Sequence, residues 1–157
     1  MSKIFVAGHT GLLGSAVLKE LYKNGYSDIL TKTHKELELK DYNQTKGFFQ
    51  KNNIDTVFLC AGKSGGIMDN DNFPATYFYE NISIITNVFE LAIKSGVNKI
   101  IYYASSCIYP KDAPCPMKEK YICEGKMEKT SIGYSVAKLA GVYAATAYNR
   151  EYGKKIL

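Results

Sequence analysis

The chain has 157 residues, 46% of them hydrophobic and 22% charged, which is the composition of one ordinary globular domain. Its net charge of +5 comes from dispersed lysines and a single arginine, a pattern typical of a solvated surface, so we expect no nucleic-acid partner. Because no apolar run reaches bilayer length and the N-terminal segment lacks the long apolar region of a signal peptide, we expect a cytoplasmic protein without membrane contact.

Short apolar runs alternate with helix-length segments along the chain. The alternation predicts, in chain order, a strand at residues 3–7, a helix at 12–24, a strand at 29–32, a helix at 43–52, a strand at 56–60, a helix at 74–95, a strand at 99–104, a helix at 134–152 and the start of another strand at 154–157. Strands this apolar are typical of a parallel sheet that helices cover on both faces. We therefore expect a Rossmann-like doubly wound α/β fold.

The last strand candidate, residues 154–157, coincides with the end of the chain. Natural domains seldom stop just inside a strand. We therefore expect residues 1–157 to form a partial nucleotide-binding domain, truncated before the last strands and before a C-terminal substrate domain. On that expectation, these residues alone turn over no substrate.

Three glycines follow the first predicted strand and run into the first predicted helix. Gly8, Gly11 and Gly14 allow a sharp turn, a close approach of backbone to a pyrophosphate, and close packing of helix on strand. The strand before them and the amphipathic helix after them are the context that a dinucleotide-binding turn requires. The alternative is a tight strand–helix turn without a ligand.

The end of the second predicted strand bears on the choice between NAD and NADP. An acidic residue there would bind the ribose 2′-hydroxyl and repel a 2′-phosphate. Residues 31–35 instead read Thr-Lys-Thr-His-Lys, and Lys32 in particular suits a phosphate, so we predict NADP(H) as the cofactor. The alternative is that Lys32 and Lys35 are simply solvated.

A tyrosine and a lysine one helical turn apart open the last predicted helix. Tyr134 and Lys138 share a helix face, where an ammonium would stabilise the phenolate, lower the pKa of the tyrosine and let it exchange a proton with a carbonyl. Ser105 follows the fourth predicted strand and would lie at the same edge of the sheet, where ligands of such sheets bind. Tyr42 and Lys46 have the same spacing without this context, and we interpret them as a chance match.

The four cysteines, Cys60, Cys107, Cys115 and Cys123, include no C-x-x-C pair, and both histidines lie far from the last three. We therefore expect no metal site and, in a cytoplasmic protein, no disulfide. Cys60 ends an apolar run, so we expect it to be a buried small hydrophobe.

Five segments, in chain order, resemble the successive motifs of the GDP-L-fucose synthase family, which belongs to the extended short-chain dehydrogenases/reductases. They are CAGKSGGI (60–67), YFYEN (77–81), SSCIYP (105–110), YSVAKLAG (134–141) and YNREYG (148–153). The G-x-x-G-x-x-G spacing of the glycine turn is also that of the extended short-chain dehydrogenases. The resemblance covers essentially the whole chain.

The resemblance implies an enzyme that converts GDP-4-keto-6-deoxy-D-mannose to GDP-L-fucose, epimerising C3 and C5 and reducing the C4 ketone with NADPH. Ser105, Tyr134 and Lys138 would serve the reduction, with Lys138 also contacting the nicotinamide ribose, and Cys107 would be the acid–base of epimerisation. The full set of residues predicted to bind the cofactor is Gly8, Thr10, Gly11, Leu12, Leu13, Gly14, Lys32, Asp41, Ala61 and Lys138.

Two features depart from the family pattern. Thr10 stands where the family often has an arginine near the 2′-phosphate, which leaves Lys32 as the main support for NADP. The family also pairs its catalytic cysteine with a later histidine, and no histidine follows His34. A packed cysteine at a strand end is the alternative interpretation of Cys107.

Two other functions stay open on the sequence. One is an enzyme acting on another GDP-4-keto sugar, such as a modified heptose, because the motifs present do not fix the sugar. The other is a non-catalytic chain that binds nucleotide or pairs with a second subunit. The resemblance implies a homodimer through the helices at 74–95 and 134–152, where small residues such as Ala137 and Gly141 would permit close packing, either between subunits or within the domain.

Overall fold

A five-stranded parallel sheet organises the chain, which the computed structural model describes from residue 2 to residue 157. The strands are β1 (Ile4–Ala7), β2 (Ile29–Lys32), β3 (Thr56–Leu59), β4 (Lys99–Tyr102) and β5 (Lys155–Ile156), and the helices are α1 (Leu12–Lys23), α2 (Tyr42–Lys51), α3 (Ile67–Asn72), α4 (Pro74–Lys94) and α5 (Ile132–Tyr152). Within residues 2–157, no helix combines the length and apolarity needed to span a bilayer. The element order confirms the predicted Rossmann-like α/β fold.

The strand order is β2-β1-β3-β4-β5, so the chain starts inside the sheet, moves to one edge and then returns past its starting strand. On β1, Ile4 lies opposite both Ile29 of β2 and Thr56 of β3. Where the order reverses, the connections that follow β1 and β3 leave on opposite faces of the sheet. A crevice therefore opens at the carboxyl ends of these two strands, which is where such sheets bind ligands.

The main core lies on one face of the sheet. Phe5, Val57 and Ile100 project to this face from three neighbouring strands and are at most 1% exposed. Val88 and Leu91 of α4 belong to the same buried cluster. Since burying one such side chain contributes roughly 1.5–3 kcal/mol, this face fixes α4 against the sheet.

The opposite face of the sheet is only partly covered. All four residues of β1 are buried, so this strand is covered on both faces of the sheet. Phe58 of β3 and Ile101 of β4, in contrast, are half-exposed. The prediction of strands buried on both faces is therefore right for β1 and wrong for β3 and β4. Val17 and Leu21 of α1 line a cavity together with Phe58, so this side of β3 is not closely covered.

Irregular segments after β3 and β4 account for the other differences from prediction. Helix α3 and the 3₁₀ turn Lys129–Ser131 are not predicted, because these short polar segments carry no apolar periodicity. That turn leads directly into α5, which begins at Ile132 ahead of the predicted start at 134. β4 ends at Tyr102, since residues 103–104 already belong to the loop that carries Ser105.

Contact between two glycines joins α1 to the end of β1. Gly8 has a φ of +83°, a conformation that other residues rarely adopt, and Gly14 lies against its carbonyl oxygen. A Cβ at Gly14 would overlap that oxygen and push α1 away from the strand. The glycine spacing therefore serves packing of the fold as well as any approach of a ligand.

Gly14→Ala should destabilise the chain by on the order of 1–3 kcal/mol, because the added methyl group overlaps backbone that cannot yield without moving α1. Gly47→Ala is the matched control. Gly47 also lies within a helix, but a Cβ there meets open space, so the same substitution should stabilise by about 0.5–1 kcal/mol. Urea denaturation followed by circular dichroism measures both, and equal effects would contradict the packing role of Gly14.

Candidate active site

A cavity of about 540 Å³ lies at the carboxyl ends of β1 and β3. Asp41 is the one predicted cofactor residue outside its lining: its carboxylate caps α2, accepting from the backbone N–H of Gln44 at 3.0 Å and from the Gln44 side-chain amide at 3.1 Å. Asp41 therefore caps α2, and its contact with the cofactor stays a prediction. The predicted residues that line the cavity are Gly8, Thr10, Gly11, Leu12, Leu13, Gly14, Lys32, Ala61 and Lys138.

The N-terminus of α1 borders this cavity. Gly11 is the N-cap in an extended conformation, and no side chain of residues 2–157 caps the first turn or places a carboxylate in it. Leu12 and Leu13 line the cavity, and Leu12 is 94% exposed. Since unpaired N–H groups and the helix dipole favour an anion here, the glycine turn fits the pyrophosphate of a dinucleotide.

Lys138 brings a desolvated charge to the floor of the cavity. Its side chain is 6% exposed, and Nζ donates a hydrogen bond to the backbone carbonyl of Tyr103 at 3.0 Å. Burial lowers the pKa of Lys138 to about 8, because the ammonium loses hydration, and the neighbouring Cys60 acts in the opposite direction. Burial also raises the pKa of Cys60 to about 11. Cys60 is thus a half-buried neutral thiol on the cavity wall, where the sequence predicts a buried small hydrophobe.

Tyr102 fixes α5 against β4 next to this lysine. Its hydroxyl donates to the backbone carbonyl of Lys138 at 3.0 Å, and Lys138 Nζ lies 5.1 Å from the centre of its ring. A Cβ at Gly141 would overlap the Tyr102 ring, and Ala137 is fully buried. These two small residues of α5 therefore pack within the domain, which is one of the two alternatives that the sequence leaves open.

Tyr134 lies one helical turn before Lys138, with Lys138 Nζ 6.0 Å from the centre of its ring. Burial raises the pKa of Tyr134, and a hydrogen bond with the Ser105 side chain lowers it in part. The prediction that Lys138 lowers the pKa of Tyr134 is therefore wrong for this structure. The reason is that burial outweighs other effects, while the ammonium is directed at the carbonyl of Tyr103.

The 3₁₀ turn Ser106–Ile108 places the other predicted catalytic residues beside Tyr134. Ser105 caps this turn, its Oγ accepting a hydrogen bond from the N–H of Cys107 at 3.2 Å. Cys107 is half-buried and lines a second cavity of about 590 Å³, which Tyr134 lines as well. Tyr134 therefore stands between two cavities, with Lys138 on one side and Cys107 on the other.

Ser64 shares with Tyr134 the position between both cavities, and it is not among the residues predicted from the sequence. Buried amides hold its loop in place. Asn81 Nδ2 donates to the carbonyl of Lys63 at 3.0 Å, and Asn70 Nδ2 donates to the carbonyl of Gly65 at 3.1 Å. The available signal was Asn81 itself, a polar residue on the otherwise apolar buried face of α4.

Charged groups at the end of β2 form the rim of the first cavity. Lys32 lines the cavity as predicted, but its ammonium lies 3.2 Å from the carboxylate of Glu36. His34 lines the cavity too, with its Nδ1 3.2 Å from the carboxylate of Glu38. The sequence identifies Lys32 by its charge, whereas its carboxylate partner follows only from the turn that brings Glu36 back toward β2.

Known proteins are similar to this chain in sequence. The family model for the NAD dependent epimerase/dehydratase family matches residues 4–157. Over 152 residues the chain is 40% identical to GDP-L-fucose synthase of Escherichia coli (strain K12), an alignment that covers 97% of this chain and 47% of that protein. The chain thus spans about half the length of the curated relatives it matches.

Solved structures share the fold as well. DdhaC is similar with a TM-score of 0.97 and 38% identity, over 99% of this chain and 45% of that one. MlghC, a GDP-mannoheptose C4 reductase from Campylobacter jejuni with NADP bound, has a TM-score of 0.95 and 33% identity, over 99% of this chain and 49% of that one.

Lys138→Met should remove a pH-dependent contribution to stability. The unfolded chain keeps the lysine proton up to its ordinary pKa of 10.5, whereas the folded chain releases it above about 8. Between these values the unfolded state binds more protons, so the free energy of unfolding of the wild type rises with pH, and the cost of burying the ammonium is fully present below pH 8.

Relative to Lys138→Met, the wild type should therefore gain on the order of 2 kcal/mol between pH 7 and pH 10. Urea denaturation at the two pH values measures the difference. A difference that does not change with pH would contradict a desolvated ammonium at this position.

Proposed function

The chain belongs to the NAD dependent epimerase/dehydratase family, and we propose that it forms the nucleotide-binding part of an NADP(H)-dependent epimerase-reductase of GDP-4-keto-6-deoxy sugars. In this proposal the substrate is GDP-4-keto-6-deoxy-D-mannose and the product is GDP-L-fucose. Support comes from the 40% identity to a GDP-L-fucose synthase and from the similarity to an NADP-bound GDP-sugar reductase. The cytoplasmic location expected from the sequence stays a prediction.

The observation that carries the proposal is the position of Tyr134 between two cavities. In the first cavity, the N–H groups at the start of α1 would bind the pyrophosphate, Lys138 the nicotinamide ribose and Lys32 the 2′-phosphate. The second cavity, which holds Cys107, would take the keto sugar. A carbonyl at their junction would thus meet the cofactor from one side and the phenol of Tyr134 from the other.

The chain's own residues would control the proton in the reduction. NADPH, when bound, supplies the hydride that the ketone carbon accepts. Tyr134 would donate its phenol proton to the carbonyl oxygen as the hydride arrives at the carbon. Ser105 would donate a hydrogen bond to the same oxygen. Lys138, with a pKa of about 8, would return a proton to Tyr134 after the transfer.

Cys107 would serve the epimerisation. A proton α to the ketone would pass from carbon to the Cys107 thiolate, and the electron pair of that C–H bond would move into an enolate whose oxygen Ser105 and Tyr134 stabilise by hydrogen bonding. A second acid must then return a proton to the opposite face of the sugar. The family resemblance assigns that acid to a histidine, and none follows His34 in these residues.

A second candidate is reduction of a GDP-4-keto heptose without epimerisation. The similarity to MlghC, a GDP-mannoheptose C4 reductase, favours it. Both candidates need Tyr134 as the proton donor, whereas only the first needs the thiol of Cys107. The exchange of α protons therefore separates them.

We further propose a homodimer through α4 and α5. Large apolar side chains stay exposed on both helices: Phe78 and Tyr79 on α4, and Val136 and Tyr143 on α5. Their buried faces already pack within the chain, so these residues form the outer surface of the helix pair. Contact with the same surface of a second copy would remove them from water.

Replacing Tyr134 and Cys107 should separate the two reactions in protein expressed from its complete reading frame. Tyr134→Phe should lower the rate of NADPH oxidation with GDP-4-keto-6-deoxy-D-mannose by roughly 10²-fold or more, because the carbonyl oxygen loses its proton donor. Cys107→Ser should suppress deuterium incorporation from D₂O at C3 and C5, read by NMR, while NADPH still binds.

The matched controls are Tyr42→Phe, which has the same Tyr–Lys spacing on an exposed part of α2, and Cys123→Ser, an exposed cysteine. Both should leave the rates unchanged. Normal reduction by Tyr134→Phe would contradict the role of the phenol. Reduction by the wild type without any deuterium at C3 and C5 would establish the second candidate.

Phe78→Glu should shift the protein from dimer to monomer in sedimentation velocity, because a charge would be buried at the interface between the helix pairs. Tyr22→Glu, at an exposed tyrosine on α1, is the matched control and should leave the dimer intact. A monomeric wild type, or a dimer that survives Phe78→Glu, would contradict this interface.

A further inference from the structure

The turn after β2 holds a carboxylate in a small anion site. Glu36 Oε2 accepts hydrogen bonds from the backbone N–H of Thr33 at 2.9 Å and from the Thr33 hydroxyl at 2.7 Å. Its other oxygen, Oε1, lies 3.2 Å from the ammonium of Lys32. Three donors of different kinds therefore converge on one side chain at the rim of the nucleotide cavity.

Glu36 is ionised at every working pH. The hydroxyl and backbone N–H of Thr33, followed by Lys32, lower the pKa of its carboxyl group to about 2. Ammonium, hydroxyl and backbone N–H are also the donors that proteins use to bind a phosphate. The carboxylate of Glu36 thus occupies donors that an incoming phosphate would need.

Lys32 is the group that links this anion site to the cavity. Lys32 lines the cavity, whereas Glu36, whose carboxylate pairs with the Lys32 ammonium, lies outside the lining. The neighbouring basic side chains also lie beside carboxylates: His34 lies 3.2 Å from Glu38, and Lys40 lies 3.3 Å from Glu80 of α4. Among the residues that the structure describes, no cation at the end of β2 reaches the cavity without a carboxylate partner.

We propose that Glu36 weakens the preference for NADP(H) over NAD(H), as an internal carboxylate that competes with the 2′-phosphate for Lys32. This inference rests on the proposed function, because it concerns the cofactor of that same site. A phosphate carries about −1.5 to −2 charges at neutral pH and can displace the single charge of a carboxylate, but it must break the existing pair to do so. The pair therefore weakens binding of the phosphorylated cofactor and leaves the other one unaffected.

Glu36→Gln tests the competition directly. The substitution removes the charge while keeping an oxygen that can accept from Thr33, so the turn is retained. The dissociation constant of NADPH, measured from its fluorescence on binding to the chain at fixed low salt, should fall by on the order of two- to fivefold, the scale of one exposed ion pair. The dissociation constant of NADH should not change.

Two controls make the result specific. Glu20→Gln removes a comparable exposed carboxylate, paired with Lys23 at the far end of α1, and should change neither dissociation constant. In a Lys32→Met background, Glu36→Gln should no longer strengthen NADPH binding, because the ammonium for which the carboxylate and the 2′-phosphate compete is absent. A merely structural effect of Glu36 would persist in the Lys32→Met background and would change the dissociation constants of both NADPH and NADH.

The outcomes separate the two claims. NADPH binding that Glu36→Gln leaves unchanged or weakens would overturn this inference alone, since the proposed cofactor would still bind. A wild type and a Glu36→Gln variant that both fail to bind NADPH would overturn the proposed function together with the inference. A rise in the NADPH preference that depends on Lys32 is the expected result.

Discussion

The hydrogen bond from Tyr102 to the backbone of Lys138 joins β4 to α5 at the floor of the first cavity. The Tyr102 ring fills the space beside Gly141, so the helix can approach the sheet only because that residue has no side chain. This contact fixes the position of α5 on the sheet, and with it the distance of Tyr134 and Lys138 from the ends of the strands. The proposed catalysis depends on this contact, because a displacement of α5 would carry Tyr134 and Lys138 away from the glycine turn that follows β1.

Burial and charge divide the first cavity into two electrostatic regions. At the floor, desolvation lowers the pKa of Lys138 and raises those of Cys60 and Tyr134, so each group is driven toward its neutral form. At the rim, the ammonium of Lys32 and the imidazole of His34 each lie beside a carboxylate. A dinucleotide spanning both regions would place its hydride-carrying end over the desolvated floor and its phosphates along the charged rim and the start of α1.

Those features of the site that depend on neighbouring residues in the chain can be predicted from the sequence. Glycine spacing after a strand and a Tyr–Lys pair on one helix turn are set by local geometry, so the glycine turn and Tyr134 could be predicted. Tyr42 shows the limit, because it has the same local pattern but lies exposed on α2. Ser64 reaches the junction through a loop held by distant amides, and the pKa of Tyr134 depends on burial. Such long-range effects leave no periodic signal in the sequence.

A crystal structure of the chain with NADP⁺ tests the central claim, that one dinucleotide binds between the glycine turn and Tyr134. The account predicts electron density for the pyrophosphate at the backbone N–H groups from Gly11 to Leu13, and for the nicotinamide riboside beside Lys138 and Tyr134. Density that places the nicotinamide away from these two side chains, or an α1 N-terminus that stays free of phosphate in the soaked crystal, would contradict it.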